Sequence, residues 1–216
     1  MTGARGYRTE RCGSCGLTNQ WCVCAELPRV QNAVAVDIVV HWRELRKPTN
    51  TARIAHRMLS SCRILVRGGP EPGAGRDVAG SLAAHPVNRT LLLYPSDDAE
   101  ALGEARELQR PQMLIVPDGT WAQTRRLIRR QELGRFRAVR LPAVQSEYAL
   151  RRGVQPGVVC TLEAIAAALD AFEVAGTGDA LRAGFQLWQQ RALAIRRGHP
   201  PATHQQQNSA KPEASP

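Results

Sequence analysis

Two sets of residues carry chemistry by type and spacing: one carboxylate set behind an apolar run, and four thiols close together. Residues 112–121 read Gln-Met-Leu-Ile-Val-Pro-Asp-Gly-Thr-Trp. Met113–Val116 has the length and composition of a strand, and Pro117 breaks it. Asp118 follows at once, then Gly119. Thr120 and Gln123 have the spacing of a capping box, in which each side chain satisfies a free N–H at a helix start. Asp118 is therefore expected where a strand stops and a helix begins. In open α/β sheets ligands bind at that edge, although a plain Asp-Gly turn before a capped helix has the same signature.

Cys12, Cys15, Cys22 and Cys24 form C-x2-C-x6-C-x-C. Four thiolates at this spacing can close a tetrahedral zinc site, leaving no open position, so such a metal is structural. Disulfide or redox chemistry and unpaired thiols are the alternatives. Cys62 and Cys160 sit in or beside apolar runs and read as buried fillers.

The chain has 29 basic and 19 acidic residues, a net charge of +10, and a pI near 10.2. That excess favours a polyanionic partner, above all nucleic acid. Only Lys47 and Lys211 are lysines; arginine suits phosphate forks and base stacking, and a GC-rich genome inflates it too. On a helix from about Trp121 to Leu133, Arg125, Arg126, Arg129 and Arg130 share one side, opposite Trp121, Thr124, Leu127 and Ile128. Like charges four apart oppose the helix. A phosphate partner would offset this, and a solvated face is the alternative.

These residues need elements to position them. Val34–Val40, Arg63–Val66, Leu91–Tyr94, Met113–Val116 and Ala138–Leu141 read as strands. Thr51–Leu59, the segment around Leu162–Phe172 and that around Leu181–Ile195 read as helices. Ser96 is expected to cap a helix whose first turn carries Asp97 and Asp98. Residues 67–89 read as a long Gly/Pro loop. Alternating strands and helices imply an α/β fold: a mostly parallel sheet with helices on both faces. His41, Ser96, Asp118 and Pro142 then gather on one rim. Residues 1–28 read as a basic arm and cysteine knuckle, 29–198 as the main domain and 199–216 as a disordered tail. No stretch reaches the ~18–20 apolar residues of a membrane helix, and the N-terminus lacks a signal-peptide core. A cytoplasmic protein is expected, with no obligate protein partner evident.

Asp118-Gly-Thr-Trp121 resembles the D-x-T-W signature of the DTW-domain family. The cysteine knuckle, His41-x-x-Glu44 with Asn50-Thr51, Leu93-Tyr-Pro-Ser96, Tyr148-x-x-Arg151 and Thr161-Leu-Glu163-Ala resemble further family motifs in order. Cys160 stands where the family usually has Ser, and Arg46 and Lys47 are both candidates for the basic residue before Asn50. The resemblance implies a SPOUT-like fold with a knotted C-terminal cofactor site. It implies a tRNA-uridine aminocarboxypropyltransferase, which moves the 3-amino-3-carboxypropyl arm of S-adenosylmethionine to N3 of a uridine and releases methylthioadenosine.

On that resemblance Asp118 is the expected base for the N3 proton. Tyr94, Pro95, Ser96, Thr120, Leu141, Pro142 and Thr161 are expected at the cofactor, although Ser96 and Thr161 could be simple helix caps. Arg151 is expected on the cofactor carboxylate or on phosphate. Trp121 stacks on a ring or packs in the core. Glu163 meets a ribose hydroxyl or the helix dipole. The RNA set is His41, Glu44, Arg46, Lys47, Asn50 and the four arginines of the basic helix; His41 could instead be structural, and Asn50 and Thr51 could simply begin the next helix. An RNA methyltransferase on the same cofactor, and a zinc-knuckle RNA-binding protein without catalysis, are the competing functions.

Overall fold

The computed structural model describes residues 10–70, 77–102, 110–129, 133–142, 145–150 and 158–199. Six strands form a single sheet: β1 (Ala35–His41), β2 (Cys62–Arg67), β3 (Thr90–Leu93), β4 (Glu100–Ala101), β5 (Met113–Asp118) and β6 (Arg137–Arg140). Their spatial order is β2-β1-β5-β3-β6-β4, and every pairing is parallel. The helices are α1 (Trp42–Leu45), α2 (Ala52–Met58), α3 (Asp77–Ala83), α4 (Trp121–Arg129), α5 (Thr161–Phe172) and α6 (Thr177–Arg196).

The strands are apolar on both sides because both sides are covered. Val36, Ile38 and Val40 of β1, Leu114 and Val116 of β5, and Leu91 and Leu93 of β3 enter one core with α2, α5 and α6. The alternate residues Val39, Ile115 and Leu92 enter a second core with Val78 and Leu82 of α3 and Leu127 of α4. This two-sided burial is the expected α/β arrangement. Continuing the alternation, Asp118 belongs to the face of Leu114 and Val116, on the side of α2 and α5.

Two elements differ from expectation. The Gly/Pro segment contains α3, whose Val78 and Leu82 lie one helical turn apart and are buried. Ser96 caps no helix: its N–H donates to the Tyr94 carbonyl, a turn follows, and the chain pairs with β6 as β4. Bidentate hydrogen bonding between Arg137 and Glu100, and the Leu102 N–H on the Arg140 carbonyl, hold that edge.

The cysteine knuckle is part of the first core. Cys15, Leu17 and Val23 are buried with Trp188 of α6, whose indole N–H donates to the Cys15 carbonyl at 2.9 Å. Gly16 turns the knuckle at φ +76°, and a Cβ there would lie 3.0 Å from the Pro48 carbonyl oxygen, so glycine is required twice over. The expected arm falls largely in 1–9 and the tail, apart from His199, in 200–216, outside the described residues. Among the described residues no helix is long and apolar enough to cross a membrane.

Candidate active site and metal centre

Parallel strands present all their C-terminal ends on one edge. There Asp118 ends β5, between Val40 of β1, its register partner, and the residues that follow β3. A cavity of about 680 Å3 opens over this edge, within the range of small-molecule sites. Its floor is Val116–Asp118, with Leu93–Pro95 and Val139–Pro142 beside it. Lys47–Thr51 with Glu44, the first turn of α4 and the start of α5 form the walls.

The Asp118 carboxylate is clamped from both sides. Asn50 donates its amide to Oδ2 at 2.6 Å, and Thr161 donates its hydroxyl to Oδ1 at 2.7 Å. Both donors are neutral. Burial pushes the Asp118 carboxyl above its ordinary value, against the pull of the Thr161 and Asn50 hydrogen bonds; Glu44 adds to the rise and Lys47 opposes it. The result is a fixed carboxylate that is a stronger base than a solvated aspartate. Asn50 was expected on RNA and Thr161 on the cofactor or as a cap. Both line the cavity and orient Asp118, from 68 and 43 residues away. Cys160, not Thr161, is the N-cap of α5.

The helix behind Asp118 starts as expected. The Thr120 N–H donates to the Gln123 side chain at 2.7 Å and the Gln123 N–H to the Thr120 hydroxyl at 3.3 Å. A Cβ at Gly119 would come 3.0 Å from that Gln123 oxygen, so a larger residue there must displace the capping glutamine. Thr124 and Leu127 are buried, and Arg125, Arg126 and Arg129 are exposed. Arg130 lies outside the described residues. Trp121 is not core: it is 48% exposed and lines the cavity, 6.1 Å from the Tyr94 ring at an interplanar angle of 60°. On the first turn it overhangs the sheet edge.

Of the expected cofactor residues, Tyr94, Pro95, Thr120, Trp121, Leu141, Pro142 and Thr161 line the cavity; Ser96 and Glu163 do not. The Glu163 carboxylate serves its own chain. It accepts the Cys160 N–H at 2.7 Å, the Ser146 hydroxyl at 2.8 Å and the Glu147 N–H at 2.7 Å, fixing the segment that carries Tyr148. Arg151 lies outside the described residues. The described cations on the cavity wall are Lys47, whose ammonium is 2.5 Å from Glu44, and Arg140, which donates to the Ala99 carbonyl.

Of the expected RNA residues, Glu44, Lys47 and Asn50 line this cavity, whereas His41 and Arg126 line a smaller one beside it. His41 also caps α1, its Nδ1 accepting the Arg43 N–H at 3.3 Å. Arg46 lies over the Trp42 ring, 5.7 Å from its centroid. No local pattern announces the Asn50–Asp118–Thr161 clamp. Its only trace in the sequence is that both partners stand in motifs of the family resemblance.

The four knuckle thiols converge. All four sulfurs lie within 4.8 Å of one another, with Cys12–Cys24 at 3.7 Å and Cys15–Cys22 at 3.8 Å. Zn–S bonds of ~2.3 Å in a tetrahedron put the sulfurs about 3.8 Å apart. The donor set and its spacing therefore suit a metal ion, and none of the four cysteines is in a disulfide.

The fold and site define an α/β protein with a ligand cavity at the C-terminal edge of a parallel sheet and a four-cysteine knuckle packed into its main core. The DTW domain model matches residues 9–193, and the chain belongs to that family. It is 32% identical over 170 residues to tRNA-uridine aminocarboxypropyltransferase 2 of Drosophila melanogaster, a match covering 77% of this chain and 68% of the fly protein. To the Mus musculus protein of the same name it is 29% identical over 172 residues, covering 77% of this chain and 57% of the mouse protein. The solved structure of the SAM-dependent rRNA:acp-transferase Tsr3 from Vulcanisaeta distributa aligns with 76% of this chain and 80% of its own. The TM-score is 0.47 and the identity 17%.

Proposed function

We propose that this protein is a tRNA-uridine aminocarboxypropyltransferase that uses S-adenosylmethionine and acts on uridine N3. The observation that carries the reading is the clamped Asp118 carboxylate at the floor of a large rim cavity, in a chain of the DTW family whose curated relatives bear that name.

The cavity suits the donor. It offers aromatic rings at Trp121 and Tyr94, apolar wall at Leu93, Val139 and Leu141, carboxylates at Asp118 and Glu44, and cations at Lys47 and Arg140. These match, in turn, an adenine ring, the methyl and methylene groups around sulfur, the sulfonium charge and an amino-acid head. When bound, S-adenosylmethionine supplies the electrophile: the side-chain methylene next to its sulfur, whose C–S bond breaks as N3 bonds to it, leaving methylthioadenosine.

The chain supplies the rest. Asp118 takes the N3 proton as N3 attacks, because uracil N3 is a weak nucleophile until deprotonated. Asn50 and Thr161 keep the carboxylate aimed at one point, so it need not reorganise during the transfer. Trp121 stacks on a ring, and Lys47, Arg140 or Arg151 holds the donor's carboxylate. The exposed arginines of α4 dock phosphates. Zinc in the knuckle, held by Cys12, Cys15, Cys22 and Cys24, has a structural role because all four positions are taken by protein.

The test is product analysis. Purified protein incubated with unmodified tRNA and S-adenosylmethionine is expected to yield aminocarboxypropyl-uridine in the RNA, with methylthioadenosine in solution. S-adenosylhomocysteine as the sole product would reassign it to methyl transfer. Absence of both products, with tRNA still bound, would leave an RNA-binding protein.

A further inference from the structure

The proposed transfer gives Tyr148 no role, although it lines the main cavity and opens the Tyr148-x-x-Arg151 motif. Its ring is buried against α6, 5.5 Å from the Phe185 ring and 6.3 Å from that of Trp188. Its hydroxyl donates to the Thr49 carbonyl at 2.7 Å, across 99 residues of sequence.

That carbonyl is one end of a rigid unit. The Thr49 C=O and the Asn50 N–H belong to the same peptide group, which is planar and does not twist about its C–N bond. Tyr148 holds the oxygen, and the Asn50 N–H donates to the Lys47 carbonyl at 3.1 Å. With both ends held the plane is fixed, and with it the direction in which the Asn50 side chain leaves the backbone. That side chain is one arm of the Asp118 clamp. Thr49 is exposed, so a carbonyl left without the hydroxyl turns to water and the plane is free to rotate.

Tyr148 is itself held in place. Its N–H donates to the Ser146 hydroxyl oxygen at 3.2 Å, and Ser146 and Glu147 donate in turn to the Glu163 carboxylate. The next N–H, of Ala149, donates at 2.8 Å to the side chain of Gln189, a buried residue of α6. Glu163 stands two residues after Thr161, the other arm of the clamp. Both arms therefore hang on the start of α5: Thr161 directly, and Asn50 by way of Tyr148.

We propose that Tyr148 is a positioning residue for the transfer: its hydroxyl sets the peptide plane that keeps the Asn50 amide on the Asp118 carboxylate. Its effect on the rate presupposes the transferase reading of the main cavity; its effect on the carboxylate does not.

The full chain is compared as wild type, Tyr148→Phe, Phe185→Leu, Asn50→Ala and the double variant Tyr148→Phe/Asn50→Ala. Two quantities are read: the pH–rate profile of transfer to unmodified tRNA, and the titration of the Asp118 carboxyl carbon by 13C NMR, assigned by its loss in Asp118→Asn. Tyr148→Phe keeps the ring and removes the hydroxyl. It is expected to lower kcat about 3- to 10-fold with the KM for the donor unchanged. The acid limb and the Asp118 midpoint both move to higher pH, because burial raises the Asp118 carboxyl and the Asn50 hydrogen bond opposes that rise. Phe185→Leu loosens the packing around the ring without touching the hydroxyl, so it lowers the melting temperature and leaves limb and midpoint where they are. Asn50→Ala moves the midpoint at least as far as Tyr148→Phe, and removing the hydroxyl in that background adds nothing. An unmoved midpoint in Tyr148→Phe, or an equal shift in Phe185→Leu, overturns the positioning role. So does a further shift of full size in the double variant, since Tyr148 would then act independently of Asn50. Wild type that makes no aminocarboxypropyl-uridine sinks the transferase reading instead, and the midpoint still decides the positioning.

Discussion

Asp37 and Asp118 lie on adjacent strands of one sheet, three steps apart in register, yet their surroundings give them opposite roles. Asp37 is 1% exposed and faces the α3 side. It accepts two hydrogen bonds from Arg63, at 2.8 and 2.6 Å, and pairs with His85 at 2.7 Å. Asp118 faces the α2 and α5 side, touches a large cavity, and among the described residues is held by an amide and a hydroxyl. A carboxylate tied to guanidinium and imidazole groups inside a closed core has no approach for a substrate. One held by neutral donors at a strand end keeps its basicity and an open side. The partners, not the residue type, decide which aspartate can do chemistry.

Exchanging each for asparagine breaks the comparison most sharply. Asp118→Asn is expected to cut transfer by roughly 10²–10⁴-fold. It should leave the melting temperature unchanged or raised. The folded carboxyl titrates above its unfolded value, so the folded state holds the extra proton, and stability falls as pH rises through that window. An amide cannot incur that loss. Asp37→Asn is expected to do the reverse: a loss of roughly 2–4 kcal/mol in denaturant unfolding, with normal turnover per folded molecule. Equal effects on activity from both would erase the distinction.

The knuckle extends the contrast from carboxylates to thiolates. One zinc per chain is expected by elemental analysis. Chelation or Cys12→Ser should lower the melting temperature by several degrees, because Cys15, Leu17 and Val23 anchor the knuckle in the main core. Activity should fall only as the fold loosens. Smaller again is Thr161→Val. Removing a donor that favours the charged carboxylate raises the Asp118 pKa further, so the acid limb of the pH–rate profile moves to higher pH and turnover drops roughly tenfold. The smallest effect expected is from Trp121→Ala. It removes a half-exposed ring from the cavity edge, raising KM several-fold by loss of ~1 kcal/mol or more of stacking, without loss of stability.

Much of this organisation is legible in the sequence because it is local. The apolar run before Pro95 marks a strand end, whereas β5 runs on through Pro117, the register partner of Val39, to Asp118. Thr120 and Gln123 mark a helix start, and Leu162, Ile165, Ala166 and Leu169 mark the buried face of α5. The position of Asp118 follows from the strand alone. What the sequence hides is distant or masked by composition. Val78 and Leu82 are obscured by the glycines and prolines around them. Asp97 and Asp98 imitate a helix start, but the chain turns there and pairs as β4. A helical wheel puts Trp121 on the apolar side, yet wheel geometry does not say where the sheet beneath ends. The clamp on Asp118, and the Arg63 and His85 partners of Asp37, join residues that only the folded chain brings together.

The base itself is tested most directly by single-turnover transfer measured across pH for wild type and Asp118→Asn, with donor binding monitored in parallel. Wild type should lose rate with one acid limb lying above the ordinary carboxylate value of ~4. Asp118→Asn should bind the donor as before, show a residual rate at least about 100-fold lower, and lack that limb. A near-normal rate in Asp118→Asn with the same limb would contradict proton abstraction by Asp118.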